Sequence, residues 1–110
     1  MLNDDLKEIL HIFNKFDISE EDQRRIFSKG IYFDFTYGNP DPKHRNKKLD
    51  VFGVWILLKT CVDYNININL KTLLHEPWAF EEESLVRFAS EMQDRYNGVN
   101  EKKGQKIKHN

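Results

Sequence analysis

The chain is short of the residues that most often announce a chemistry. It has one cysteine, Cys61, so no disulfide can form within it. Cys61 lies in an apolar stretch with no nucleophile motif around it, which makes a small buried thiol the expected role. None of the four histidines, His11, His44, His75 and His109, is spaced with a second His, a Cys or a paired carboxylate as a metal site requires. No metal and no cofactor is expected. There are only five glycines, and Gly38-Asn39-Pro40 and Gly53 match neither a Walker nor a dinucleotide loop. A Gly-x-Ser-x-Gly elbow is also absent. The longest apolar run, Val51 to Leu58, falls well short of the roughly 18 residues that a membrane span needs. The start, Met1-Leu2-Asn3-Asp4-Asp5, has neither the basic nor the apolar region of a secretory signal. A cytoplasmic protein with no membrane partner is the expectation. Charge of one sign is missing too: the net charge is −1, whereas a dedicated DNA-binding domain is usually basic.

What is present is enough for one folded domain. The 110 residues are 39% hydrophobic and 32% charged, and fourteen are aromatic: eight Phe, four Tyr and two Trp. Disordered chains are poor in aromatics, so the central part should fold. Residues 1–98 are expected to form a single globular domain, and the polar, basic, aperiodic stretch 99–110 a disordered tail.

The patterning predicts a helix-rich α+β domain with two or three short antiparallel strands. Leu2, Leu6, Ile9, Leu10, Phe13 and Phe16 fall on one helical stripe, with Asn3 as a candidate cap. Ser19-Glu20-Glu21-Asp22 starts a second helix that Gly30 can close. Ile31 to Tyr37 alternates as a half-buried strand, stopped by Gly38-Asn39-Pro40-Asp41-Pro42. Leu49 to Tyr64 suits either a helix capped by Asp50 or a buried strand, with the 3.6-residue spacing favouring the helix. Ile66, Ile68 and Leu70 alternate with asparagines and offer a possible strand partner for Ile31 to Tyr37. Lys71 to His75 suits one helical turn, broken by Pro77. Glu81 to Tyr96 predicts a helix with an acidic first turn, Gly98 at its end and a stripe of Leu85, Phe88, Ala89, Met92 and Tyr96. The predicted core is Leu6, Leu10, Phe13, Phe33, Phe35, Trp55, Leu58, Leu85, Phe88 and Met92.

The stretch from Leu49-Asp50-Val51-Phe52 to Leu73-Leu74-His75-Glu76-Pro77 resembles the acyl and peptidyl carrier protein family. That family opens its second helix with Asp-Ser-Leu and carries a later Leu-Phe-x-x-Pro segment. The resemblance implies at most a degenerate carrier-like domain. Val51 stands where the family has its phosphopantetheine-bearing serine, and a valine cannot carry that group. The strand at Ile31 to Tyr37 also departs from the family's all-helical fold, and the similarity covers under half of the chain.

The candidate contact surface is Lys43 to Lys48, a basic loop with four positive charges in six residues. Lys43, Arg45, Lys47 and Lys48, with Tyr37 beside them, could meet an acidic protein, or hold a nucleic-acid backbone while neighbouring aromatics stack bases. His75 beside Glu76 is the one place where a carboxylate could tune a base, although a histidine at a helix end is the ordinary outcome. With no reactive constellation, the expectation is a non-enzymatic protein-binding module, of the small inhibitor or immunity type. A nucleic-acid-binding module and a small enzyme are the alternatives.

Overall fold

A computed structural model describes the backbone of residues 3–35 and 46–109, and side chains from 4 to 35 and from 46 to 98. The order is α1 (Asn3–Lys15), α2 (Glu20–Lys29), β1 (Ile31–Asp34), β2 (Asn46–Leu49), α3 (Val51–Asp63), α4 (Leu70–His75), a 3-10 turn (Pro77–Ala79) and α5 (Glu83–His109). This is the expected helix-rich α+β class, with a two-stranded antiparallel sheet.

The helix ends follow local chemistry. Ser19 Oγ accepts from the Asp22 amide at 3.1 Å, and three carboxylates follow in the first turn of α2, at the positive end of its dipole. Asp50 caps α3, its Oδ1 accepting from the amides of Phe52 and Gly53 at 2.9 and 3.0 Å. Helices α1 and α3 close in the same way. Asp17 and Asn65 take left-handed backbone at φ 56° and 55°. The Ile18 and Ile66 amides then donate back to the carbonyls of Phe13 and Cys61, which satisfies groups that the helix end leaves unused. Asp and Asn tolerate that conformation better than other residues with a side chain. Gly30 closes α2 at φ 69°, where a Cβ would stand 2.2 Å from the Leu49 carbonyl oxygen.

Helix α3 is the centre of the molecule and packs against α1, α2 and α5. The ambiguity over Leu49 to Tyr64 resolves as this helix. Val51, Val54, Trp55, Leu57, Leu58 and Cys61 are buried around it, joined by Ile9, Phe13, Ile26, Phe33, Leu49, Leu73 and Val86. Each fully buried Leu or Phe contributes roughly 1.5–3 kcal/mol of transfer free energy.

Three expectations need correcting. First, β1 pairs with Asn46–Leu49, in the register Ile31 to Leu49 and Phe33 to Lys47, and not with Ile66 to Leu70. The alternating asparagines precede α4 instead, and Asn69 caps it through a bond to the Thr72 amide. Residues 46–48 of the expected basic loop therefore lie in a strand, where Ile31 and Phe33 on the partner strand hold their core face. Second, Phe88 is not core but exposed, and Leu6, Leu10, Leu85 and Met92 are only partly buried. Third, the backbone of α5 runs helical to His109 and does not end near Tyr96 and Gly98 as the sequence predicts. A helical glycine costs only about 1 kcal/mol relative to alanine, and the following segment is rich in Glu, Lys and Gln, which favour helix. No helix of the described residues is long and apolar enough to cross a membrane.

Candidate binding surface

Helix α5 has two faces. Val86, Ala89, Ser90 and Gln93 turn inward and are buried. Gln93 stitches the helix to the β2–α3 junction: its Nε2 donates to the Lys48 carbonyl at 3.0 Å, and its Oε1 accepts from the Asp50 amide at 2.7 Å. One turn on, Asn97 Nδ2 donates to Asp50 Oδ2 at 2.6 Å. These small and polar inward residues let α5 approach α3 closely.

The larger apolar residues of α5 therefore point outward. Phe88 is 45% exposed and Tyr96 41%, with Met92 between them at helical spacing. Across from them, Tyr64 at the end of α3 is 75% exposed and Ile66 38%. The result is an open groove between α3 and α5, made of two hollows of about 550 and 480 Å³. Both hollows are lined by Thr60, Tyr64 and Phe88. One end of the groove is fixed by Tyr96. Its ring lies 4.5 Å from that of Phe52 and edge-on to Trp55 at 6.4 Å, and its hydroxyl donates to the Asp5 carboxylate of α1. That hydrogen bond, more than burial or nearby carboxylate charge, pushes the phenol up to about 12. Trp55 is itself 8% exposed, and its indole N–H has no hydrogen-bond partner among the described residues.

Of the residues singled out in the sequence as a contact surface, only Lys47 and Lys48 fall within the described residues. Tyr37, Lys43 and Arg45 lie outside the described residues, as does His44. Lys47 and Lys48 are successive residues of β2 and so point to opposite faces of the sheet. Lys47 is half-buried and lines a shallow hollow with Ser84, Arg87, Phe88 and Glu91, next to the groove. Lys48 is exposed opposite Tyr32. Phe35 is buried and stacks on Phe33 with centroids 5.9 Å apart, so it is not free to stack on a base.

The groups with possible reactivity have structural settings. His75 Nε2 does meet a carboxylate, but it is Asp22 of α2 at 3.1 Å and not the adjacent Glu76. Arg25 shares Asp22 at 3.0 Å and donates to the Leu74 carbonyl at 2.8 Å, so this cluster ties α2 to the end of α4. His11 is exposed on α1. Burial, helped by the charge of Glu82, pushes the Cys61 thiol up to about 11, away from the thiolate that a nucleophile needs. Val51, the position of the carrier family's modified serine, is buried. Among the described residues no group of three or more His, Cys, Asp or Glu could hold a metal ion.

The groove is hidden in the sequence because periodicity alone assigns its walls Leu85, Phe88 and Met92 to the core. The signal that could have exposed it is the second stripe of α5. Val86, Ala89 and Gln93 have the same spacing as Leu85, Phe88 and Met92 but smaller or polar side chains. A helix buries its small stripe wherever close approach is needed. No known protein-family model matches the chain, and neither a curated protein nor a solved structure is significantly similar to it.

Proposed function

We propose that the chain is a non-enzymatic protein-binding module that takes an amphipathic helix of a protein partner into the groove between α3 and α5. The observation that carries this reading is the contiguous exposure of Tyr64, Ile66, Phe88 and Tyr96 around one groove. A small domain gains stability by burying such residues, and patches left open on a folded surface mark interaction sites. The groove is elongated along two helices and walled by aromatic and Met side chains, which suits a helix presenting residues at i, i+3, i+4 and i+7. Arg95, Lys59, Asp63 and Glu82 form a mixed charged rim that would set register. An inhibitor or immunity-type role follows if the captured helix belongs to the partner's working surface.

The test is a selection of helical peptides from a display library on the purified protein, followed by titration of the winners. Winners should lose ~30-fold or more in affinity for the Phe88→Glu protein, as expected for a buried aromatic anchor. Winners that bind Phe88→Glu and Tyr64→Ser as well as wild type would place the binding face elsewhere.

A further inference from the structure

We infer that a helix fitting this groove is α5 of a second copy of the chain, so that two copies pair through α5 about a two-fold axis beside Met92. The inference rests on the groove being a helix-binding site and names its occupant.

Helix α5 is both a wall of the groove and the carrier of a partly exposed apolar stripe, in which Leu85 packs against the core and Tyr96 against Phe52 and Trp55, while Phe88 stays open. Leu85, Phe88, Met92 and Tyr96 recur at the three- and four-residue spacing that a neighbouring helix reads. If α5 of one copy enters the groove of another, a two-fold axis makes the reverse true at once. Each α5 then lies between α3 of its own copy and α5 of the other, and both grooves are filled by a single contact. A two-fold contact must be self-complementary, and this face is. With Met92 at the axis the helices run antiparallel. Phe88 then meets Tyr96 of the second copy, and Glu91 comes beside that copy's Arg95.

The charges support this pairing. Glu91 and Arg95 are four apart on one helix and could pair with each other, as Glu83 and Arg87 do at 3.5 Å two turns earlier. Among the described residues they form no ion pair, and both are exposed at the edge of the apolar stripe. Antiparallel pairing gives each a partner of opposite sign in the second copy, whereas parallel pairing in register would set like beside like.

The test combines sedimentation equilibrium with cross-linking of the full chain. Wild type should sediment as a reversible dimer, and Phe88→Glu should weaken the dimer ~30-fold or more with its helical circular dichroism kept. Glu91→Arg should also weaken the dimer, and Glu91→Arg combined with Arg95→Glu should restore it. Met92→Cys should form an intermolecular disulfide on mild oxidation, since each new thiol faces its mate at the axis. Ser84→Cys should not, and Cys61 is buried and cannot supply the link. A chain that sediments as a monomer up to millimolar concentration while still binding selected helical peptides through Phe88 overturns the dimer and leaves the groove reading intact. Loss of both overturns both. A dimer indifferent to Phe88→Glu, or cross-linked through Ser84→Cys and not through Met92→Cys, overturns the pairing.

Discussion

Gln93 occupies the space that any side chain on Gly53 would need: a Cβ at that glycine would stand 2.1 Å from Gln93 Oε1. The glycine sits in the first turn of α3, where alanine would otherwise raise helix propensity. Its role is thus to admit Gln93 to the Asp50 amide and the Lys48 carbonyl. Gly53→Ala should lower stability by ~1–3 kcal/mol, the usual cost of overpacking, read as a lower urea midpoint with an unchanged slope. The double variant with Gln93→Ala should cost clearly less than the sum of the single variants, because the closest clash goes with Gln93 and only the Leu49 side chain at 3.0 Å is left to give way. Additive costs would mean that the two side chains do not compete for the space.

Leu57 and Phe88 should differ widely in the cost of truncation. Leu57 is fully buried in the core cluster, so Leu57→Ala should cost ~2–5 kcal/mol. Phe88 is nearly half exposed in one copy. Under dilute conditions, where no partner covers it, Phe88→Ala should cost less than ~1 kcal/mol in urea unfolding. A penalty of the size of Leu57→Ala would return Phe88 to the core and remove the groove's central wall.

How much of this was legible in the sequence depends on the kind of signal. Helix starts were legible because they are local: Ser19 and Asp50 form the caps that their types suggest. Burial alternation along Ile31 to Phe35 was equally local. The partner of that strand was not, because pairing is a tertiary choice. Asn46–Leu49 carries two lysines and reads as a loop, yet it supplies the ladder and leaves Leu49 fully buried. The candidate site was misplaced for a related reason. Periodicity shows that α5 has an apolar stripe, but not whether that stripe faces its own core or another chain. The deciding facts, Gln93 reaching the Asp50 amide and Asn97 reaching the Asp50 carboxylate, span more than forty residues of sequence.

Tyr96 should titrate late. Its hydroxyl proton is held by Asp5, so the phenol is pushed up to about 12, against about 10 in the unfolded chain. A folded-state value raised above the unfolded one contributes stability that is complete below pH 10. That contribution is lost as the pH rises from 10 to 12, because only the unfolded chain gives up the proton in that window. Ultraviolet difference titration should therefore show one tyrosine with a midpoint near 12, and Asp5→Ala should bring it down toward 10. No change on Asp5→Ala would assign the late titration to burial and remove the tie between α1 and α5.

The basic segment should matter less than its charge density suggests. Lys47 and Lys48 lie on opposite faces of β2, so a phosphate backbone on one face could engage only one of them directly. Lys47 is half-buried near Glu91 and Phe88, where a long apolar stem covers more surface than its charge does. Changing Lys43, Arg45, Lys47 and Lys48 together to Ser should shift stability by no more than ~1 kcal/mol, the scale of exposed charges. It should also leave peptide binding in the groove within a few-fold of wild type. Fluorescence anisotropy with single- and double-stranded nucleic acid should find nothing tighter than the non-specific range of ~10⁻⁴ to 10⁻⁶ M at physiological salt. A tighter complex, falling log-linearly with salt and abolished by the four substitutions, would move the function from the α3–α5 groove to the basic segment.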